Sequence, residues 1–78
     1  MYNELDIIIL NTDILEFNLK TGDIGTIVAV YENGKAYEVE FITYSGQTLA
    51  VITLKPYQIS AINAKSMMSA RNIEQAYI

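Results

Sequence analysis

The chain is 78 residues long, is 51% hydrophobic, carries a net charge of −4 and contains neither cysteine nor histidine. A chain of this length forms one domain with a small core, and without cysteine it has neither disulfides nor thiolate metal sites. The two missing residue types also remove the commonest general base, the commonest nucleophile pair and most transition-metal sites. We therefore expect a protein that is not an enzyme and binds no cofactor or metal.

The charge is unevenly spread along the sequence. Residues 1–40 hold eight acidic residues against two lysines, whereas residues 41–78 hold one acidic residue against three basic ones. An acidic first half repels phosphate backbones, so we expect no nucleic-acid partner. It favours a protein partner with a basic surface, and the alternative is that the acids keep a small hydrophobic domain soluble. No signal-peptide pattern and no membrane-length apolar run is present, which predicts a cytoplasmic protein without a membrane partner.

The first third of the chain predicts one strand and one long loop. Leu5 to Leu10 is apolar and β-branched, which indicates a strand buried on both faces or at a barrel seam. Thr12 to Asp23 predicts a loop that Ile14, Leu15, Phe17 and Leu19 attach to the barrel end. We expect Gly22 and Gly25 to serve the turn and the close packing at the start of the second strand, and Asp23 to bond nearby amides.

Two further strands form the predicted central hairpin. Gly25 to Glu32 and Ala36 to Ile42 are β-rich, and Asn33-Gly34 between them is typical of a two-residue type I′ turn. In the third strand Tyr37, Val39 and Phe41 alternate with Glu38 and Glu40, so one face is apolar and the other carries carboxylates in water.

The fourth strand is predicted at Thr48 to Leu54, after a turn at Ser45-Gly46. Neither of its faces carries a charge, which is typical of a central strand or of one covered by a second copy. Lys55-Pro56-Tyr57 predicts a turn or a single helical turn, because proline cannot continue the strand ladder. Gln58 to Ile62 is then the fifth strand, which closes the barrel.

Residues 63–78 have a different pattern, with alanines and methionines among polar residues. Their composition favours a helix from about Ala64 to Ala76, with Asn63 as its cap. The sequence thus predicts a five-stranded all-β barrel at residues 1–62 and a short helical tail at 63–78. Because the fourth strand and the tail expose apolar surface, we also expect a homodimer that forms through strand edges or a swapped tail helix.

Five residues are candidates for partner binding: Tyr31, Glu38, Glu40, Tyr44 and Tyr57. The tyrosines fall near loop ends, where an SH3-like barrel binds extended peptides, although packing at the barrel end explains them equally well. Glu38 and Glu40 lie about 7 Å apart by strand rise. A two-carboxylate hydrolase would need one of them buried in a cleft, and a solvated strand face is the favoured interpretation.

Four blocks of the sequence carry a family resemblance. They are Leu5-Asp-Ile-Ile-Ile-Leu, Leu19-Lys-Thr-Gly-Asp-Ile-Gly-Thr-Ile-Val, Tyr37-Glu-Val-Glu-Phe and Gly46-Gln-Thr-Leu-Ala-Val-Ile-Thr-Leu. In order and spacing they resemble the small bacterial proteins classified as domain of unknown function 4926, over about Leu5 to Ile62. The family usually has glycine-leucine where this chain has Asn18-Leu19, a change that affects the loop and not the fold.

The resemblance implies an SH3-like barrel, similar in layout to a small photosystem I subunit and to electron-transfer accessory proteins. It also implies an antitoxin or immunity partner, because members of the family are suspected to be encoded beside toxin-like proteins. It assigns no site residue. The leading hypothesis is a non-catalytic protein-binding module, with an antitoxin-like role as its narrower form. The alternative is an accessory subunit of a redox or photosynthetic electron-transfer complex.

Overall fold

The computed structural model describes residues 1–62, so the predicted helix at residues 63–78 lies outside the described residues. The described part consists of five strands and two three-residue 3₁₀ helices, here η1 and η2. In chain order they are β1 (Ile7–Leu10), η1 (Leu15–Phe17), β2 (Ile24–Tyr31), β3 (Ala36–Ile42), β4 (Thr48–Leu54), η2 (Pro56–Gln58) and β5 (Ile59–Ala61). The all-β prediction is confirmed.

The strands form one antiparallel sheet in the order β4-β3-β2-β1-β5. The fifth strand pairs with the first, through contacts such as Leu10 opposite Ile59. Within residues 1–62 the backbone ladders leave β4 and β5 as the two edges of the sheet. The chain therefore forms the expected five-strand succession, and its first and last strands are neighbours.

One hydrophobic core lies against the inner face of the sheet, and all five strands contribute to it. In β3, the strict alternation predicted from sequence is confirmed, because Tyr37, Val39 and Phe41 are buried. The other buried members of the core are Ile8, Leu10, Leu19, Ile27, Ala50, Ile52, Leu54 and Ile59.

Gly25 is the point of closest approach between β2 and the side chains of β3. A Cβ atom at this position would lie 2.6 Å from Val39 Cγ1 and 2.8 Å from Phe41 Cε1. Carbon atoms at such distances overlap, so any residue other than glycine at this position would force Val39 or Phe41 to move. The prediction of close packing at Gly25 is confirmed.

The turn between β2 and β3 is longer than predicted. Tyr31 pairs with Ala36, which leaves a four-residue connection rather than a two-residue Asn33-Gly34 loop. Glu32 and Asn33 both have positive φ angles, and the amide of Gly34 donates to the Tyr31 carbonyl at 3.0 Å. The central turn residues are thus Glu32 and Asn33, one position earlier than expected. Gly34 also adopts a positive φ, so it extends the turn and is not one of its two central residues.

The prediction for the first strand is wrong in extent and burial. Leu5 is 78% exposed with a φ of 74°, outside the strand. The amide of Asn3 donates to Asp6 Oδ2 at 2.8 Å, and the resulting turn delays the strand to Ile7. Ile8 and Leu10 are buried while Ile7 is exposed, so β1 is a half-buried strand with the usual alternation.

The loop between β1 and β2 has structure of its own. Ile14 and Leu19 form an isolated bridge around η1, and Leu19 is buried while Ile14 packs against the core. Leu15 is 84% exposed and Phe17 is also exposed, so the prediction that these two residues anchor the loop is wrong. Because the bridge joins the two residues that flank η1, the loop is closed by its own backbone and the side chains of Leu15 and Phe17 point to solvent.

Asn18 ends η1 in the left-handed conformation, with φ 58° and ψ 33°. Asparagine and glycine are the residues that adopt this conformation most readily. Asn18 is therefore suited to the backbone conformation that ends η1.

β4 and the helical turn after it lie where the sequence predicts them, and the place of β4 within the sheet is decided by the fold. Ala50, Ile52 and Leu54 face the core, and Leu49 and Val51 are exposed. The strand lies at the edge of the sheet, so the first of its two alternatives, a central strand covered on both faces, is wrong. The second alternative, cover by a second copy, stays a prediction. The predicted single helical turn is η2, which begins at Pro56 and whose Gln58 side chain accepts from the Lys55 amide at 2.8 Å.

The N-terminal residues pack on the hairpin. The amide of Tyr2 donates to the Tyr37 hydroxyl at 3.1 Å, and the two rings meet edge to face with centroids 5.3 Å apart. The buried Tyr37 hydroxyl thus has a partner that lies 35 residues away in sequence.

We expect Gly25→Ala to lower the free energy of unfolding by about 1–3 kcal/mol, because the added methyl overlaps Val39 and Phe41. Urea denaturation followed by circular dichroism measures the loss. Combining it with Val39→Ala removes one overlapping atom, so the double variant loses less than the sum of the two single losses. Strict additivity would contradict the close contact.

Tyr37→Phe removes the hydroxyl that accepts from Tyr2, and we expect it to cost about 0.5–1.5 kcal/mol in thermal or urea unfolding. Tyr57→Phe is the matched control, since Tyr57 is 78% exposed and the same deletion there leaves stability unchanged within error. Equal effects of the two substitutions would show that the Tyr2 bond contributes nothing.

Candidate interaction surface on the outer face of the sheet

The alternation in β3 places two carboxylates on the face of the sheet opposite the core. Glu38 and Glu40 lie between the buried residues Tyr37, Val39 and Phe41, so both point outward. Across the ladder, Glu38 is opposite Thr53, Glu40 is opposite Val51 and Ile42 is opposite Thr48. These residues share one side of the sheet, which we call the acidic outer face: Glu38, Glu40, Ile42, Thr48, Val51 and Thr53.

Threonines of β4 hold both carboxylates in place. Thr53 Oγ1 donates to Glu38 Oε1 at 2.5 Å, directly across the ladder. Thr48 Oγ1 donates to Glu40 Oε2 at 2.8 Å, along the diagonal. A carboxylate accepts several hydrogen bonds, so each retains acceptor capacity for another molecule. The two charges are thereby positioned on the surface and still able to bind cationic groups.

The acidic outer face also carries apolar side chains. Ile42 is 55% exposed and Val51 is 46% exposed. Leu49, at the bulge of β4 where the register shifts, is 49% exposed beside them. Exposed apolar side chains bordered by polar groups are a feature of surfaces that contact other macromolecules.

Two aspartates outside this surface, Asp13 and Asp23, serve turns. Asp13 accepts from the amide and hydroxyl of Thr21, at 2.8 and 3.0 Å. Asp23 is only 4% exposed and accepts from the Lys20 amide at 2.9 Å, which confirms the predicted turn role. Glu38 and Glu40 differ from these residues because their partners are side chains on a strand face.

The three candidate tyrosines do not form one platform with this surface. Tyr31 is the last residue of β2, opposite Ala36 at the start of β3, while Tyr44 follows the other end of β3, about 20 Å away by strand rise. Tyr57 lies in η2, where its carbonyl accepts from Asn11 Nδ2 at 3.3 Å. Tyr44 and Tyr57 are 77% and 78% exposed. Of the five candidates, Glu38 and Glu40 share one face of the same strand.

The candidate set from sequence omitted the residues that complete the surface. Thr48 and Thr53 donate to the two carboxylates, and Ile42 lies at the border. The hairpin turn predicted at Ser45-Gly46 could have identified these residues from sequence, because a turn determines which residues of its two strands lie opposite each other. The structure confirms that turn, with the Gly46 amide donating to the Thr43 carbonyl at 2.9 Å.

Two other features are absent from residues 1–62. No group of three or more aspartate, glutamate, histidine or cysteine side chains is placed to hold a metal ion there. In the same part of the chain, no helix is long and apolar enough to span a membrane.

Comparison with known proteins gives one match. The family model described as domain of unknown function DUF4926 matches residues 4–61. No curated protein matches the chain, and no solved structure does. The matched segment begins before β1 and includes all five strands. Because it covers well over half of the sequence, the chain belongs to the DUF4926 family.

Proposed function

We propose that this protein is a non-catalytic protein-binding module whose interface is the acidic outer face. The observation that supports the proposal is the pair of threonine-held carboxylates, Glu38 and Glu40, next to exposed Val51 and Leu49. Side chains that are already held in place lose less conformational freedom when a partner binds. The surface thus combines fixed charge with apolar area that a partner would cover.

The charge of the domain defines the chemistry of the partner. Residues 1–62 carry eight acidic side chains against three lysines, a net charge of −5. Such a charge repels nucleic acid and attracts a protein with a basic surface, mainly by raising the rate of association. The matching partner surface therefore presents lysine or arginine side chains around an apolar centre.

The same geometry favours binding over hydrolysis. A two-carboxylate mechanism requires one acid whose burial keeps it protonated at neutral pH. Glu38 and Glu40 are only half-buried, lie on the outer face, and both accept hydroxyl hydrogen bonds. This arrangement suits two carboxylates that accept hydrogen bonds from a partner.

Two narrower proposals follow from the resemblance. The order of the five strands, with η2 before the last one, supports an SH3-like barrel. An antitoxin or immunity role in the cytoplasm fits a small acidic protein that covers a basic partner. The alternative role in an electron-transfer complex rests on the likeness of fold, and fold alone does not determine function.

The test is affinity purification of the tagged full chain from its native host, with bound proteins identified by mass spectrometry. We expect a stoichiometric partner, and we expect Glu38→Gln/Glu40→Gln to weaken its binding by about tenfold or more and to reduce the salt dependence. Glutamine preserves the shape and an acceptor for each threonine, so the fold is retained.

Glu4→Gln/Glu16→Gln is the matched control, since it removes the same charge from exposed residues outside the acidic outer face. We expect the control to bind within about twofold of the natural sequence, because distant exposed charges are screened by salt. Equal losses in both double variants would overturn the assigned interface. Recovery of the protein without any partner would overturn the binding function, and a redox protein as partner would support the alternative.

A further inference from the structure

The β4 strand has an edge that its sequence does not protect. It is seven residues long, contains neither charge nor proline, and in the described part of the chain its backbone pairs only with β3. Proteins usually protect edge strands with charged residues, proline or very short length. The opposite edge follows that rule, because β5 has only three residues. β4 is therefore the edge suited to pairing with another strand.

We infer that β4 pairs antiparallel with β4 of a second copy, joining two sheets across a two-fold axis. The bulge at Leu49 leaves a regular segment from Ala50 to Leu54. Pairing this whole segment with its copy places the axis at Ile52, and Val51 then lies opposite Thr53 of the second copy. All the side chains that meet at this contact are uncharged or apolar.

The charge distribution favours a second copy at this edge and nowhere else on the sheet. A two-fold interface brings a surface against itself, so any charge on it meets its own kind. Two copies with net charge repel each other in general, but β4 contributes no charge. Three strand spacings, about 14 Å, separate the β3 carboxylates of the two copies, which exceeds the Debye length of about 10 Å at 0.1 M salt.

The small contact predicts a weak dimer. Stable interfaces bury about 20–30 residues on each side, whereas β4 offers seven residues. Backbone pairing of one short strand gives a dissociation constant in the micromolar to millimolar range. The dimer would also present two acidic outer faces on one continuous sheet.

Sedimentation velocity of the full chain, from about 10 µM to about 1 mM, tests the inference without any partner protein. We expect a concentration-dependent dimer. Val51→Lys places two like charges diagonally across the axis and should raise the dissociation constant by about tenfold or more. The result does not depend on the proposed function, which is tested separately by partner capture.

Val28→Lys is the matched control, because Val28 is also exposed but lies in β2, away from the β4 edge. We expect it to dimerise like the natural sequence. A monomer throughout the concentration range, a Val51→Lys variant with an unchanged dissociation constant, or equal losses in both variants would each overturn the inference. Hydrogen exchange of the natural sequence provides a second measurement: amides of β4 should slow as concentration rises, and those of β1 should not.

Discussion

The contact of Gly25 with Val39 and Phe41 is the constraint on which the arrangement of this sheet depends. Because Gly25 has no Cβ atom, the side chains of Val39 and Phe41 on the paired strand β3 can fill the space beside β2 that a Cβ atom would occupy. With β2 and β3 held in this way, β1 pairs with the other edge of β2 and β4 pairs with the other edge of β3. β5 then pairs with β1. A small domain has few core side chains, so one close contact of this kind has a large effect on its stability.

The same alternation that forms the core also forms the surface. Val39 and Phe41 face inward, and the residues between and beside them, Glu38 and Glu40, necessarily face outward. A shift of one residue in the register would bury both carboxylates and expose the core. The position of the two charges is therefore as firmly fixed as the packing of β3, and the threonines of β4 then fix the carboxylate oxygens.

β4 connects the two proposals. Its inner residues complete the core, its outer threonines hold the carboxylates, and its outer edge, which no other strand of residues 1–62 pairs, is uncharged. Its outer face is suited to a partner of opposite charge, and its edge to a second copy. The two surfaces are adjacent but differ in chemistry, since one depends on side-chain charge and the other on backbone hydrogen bonds.

The sequence by itself determined the all-β class, the bounds of β3 and β4, the turn at Gly46 and the family, because alternation and turn residues are local signals. It placed the turn after β2 one residue late and began β1 two residues early, since local bonds such as Asn3 to Asp6 do not appear in a hydrophobic pattern. Only the tertiary structure decided that β4 is an edge and that Thr48 and Thr53 meet Glu40 and Glu38. These features depend on which strands become neighbours, and that is determined by packing between residues distant in sequence.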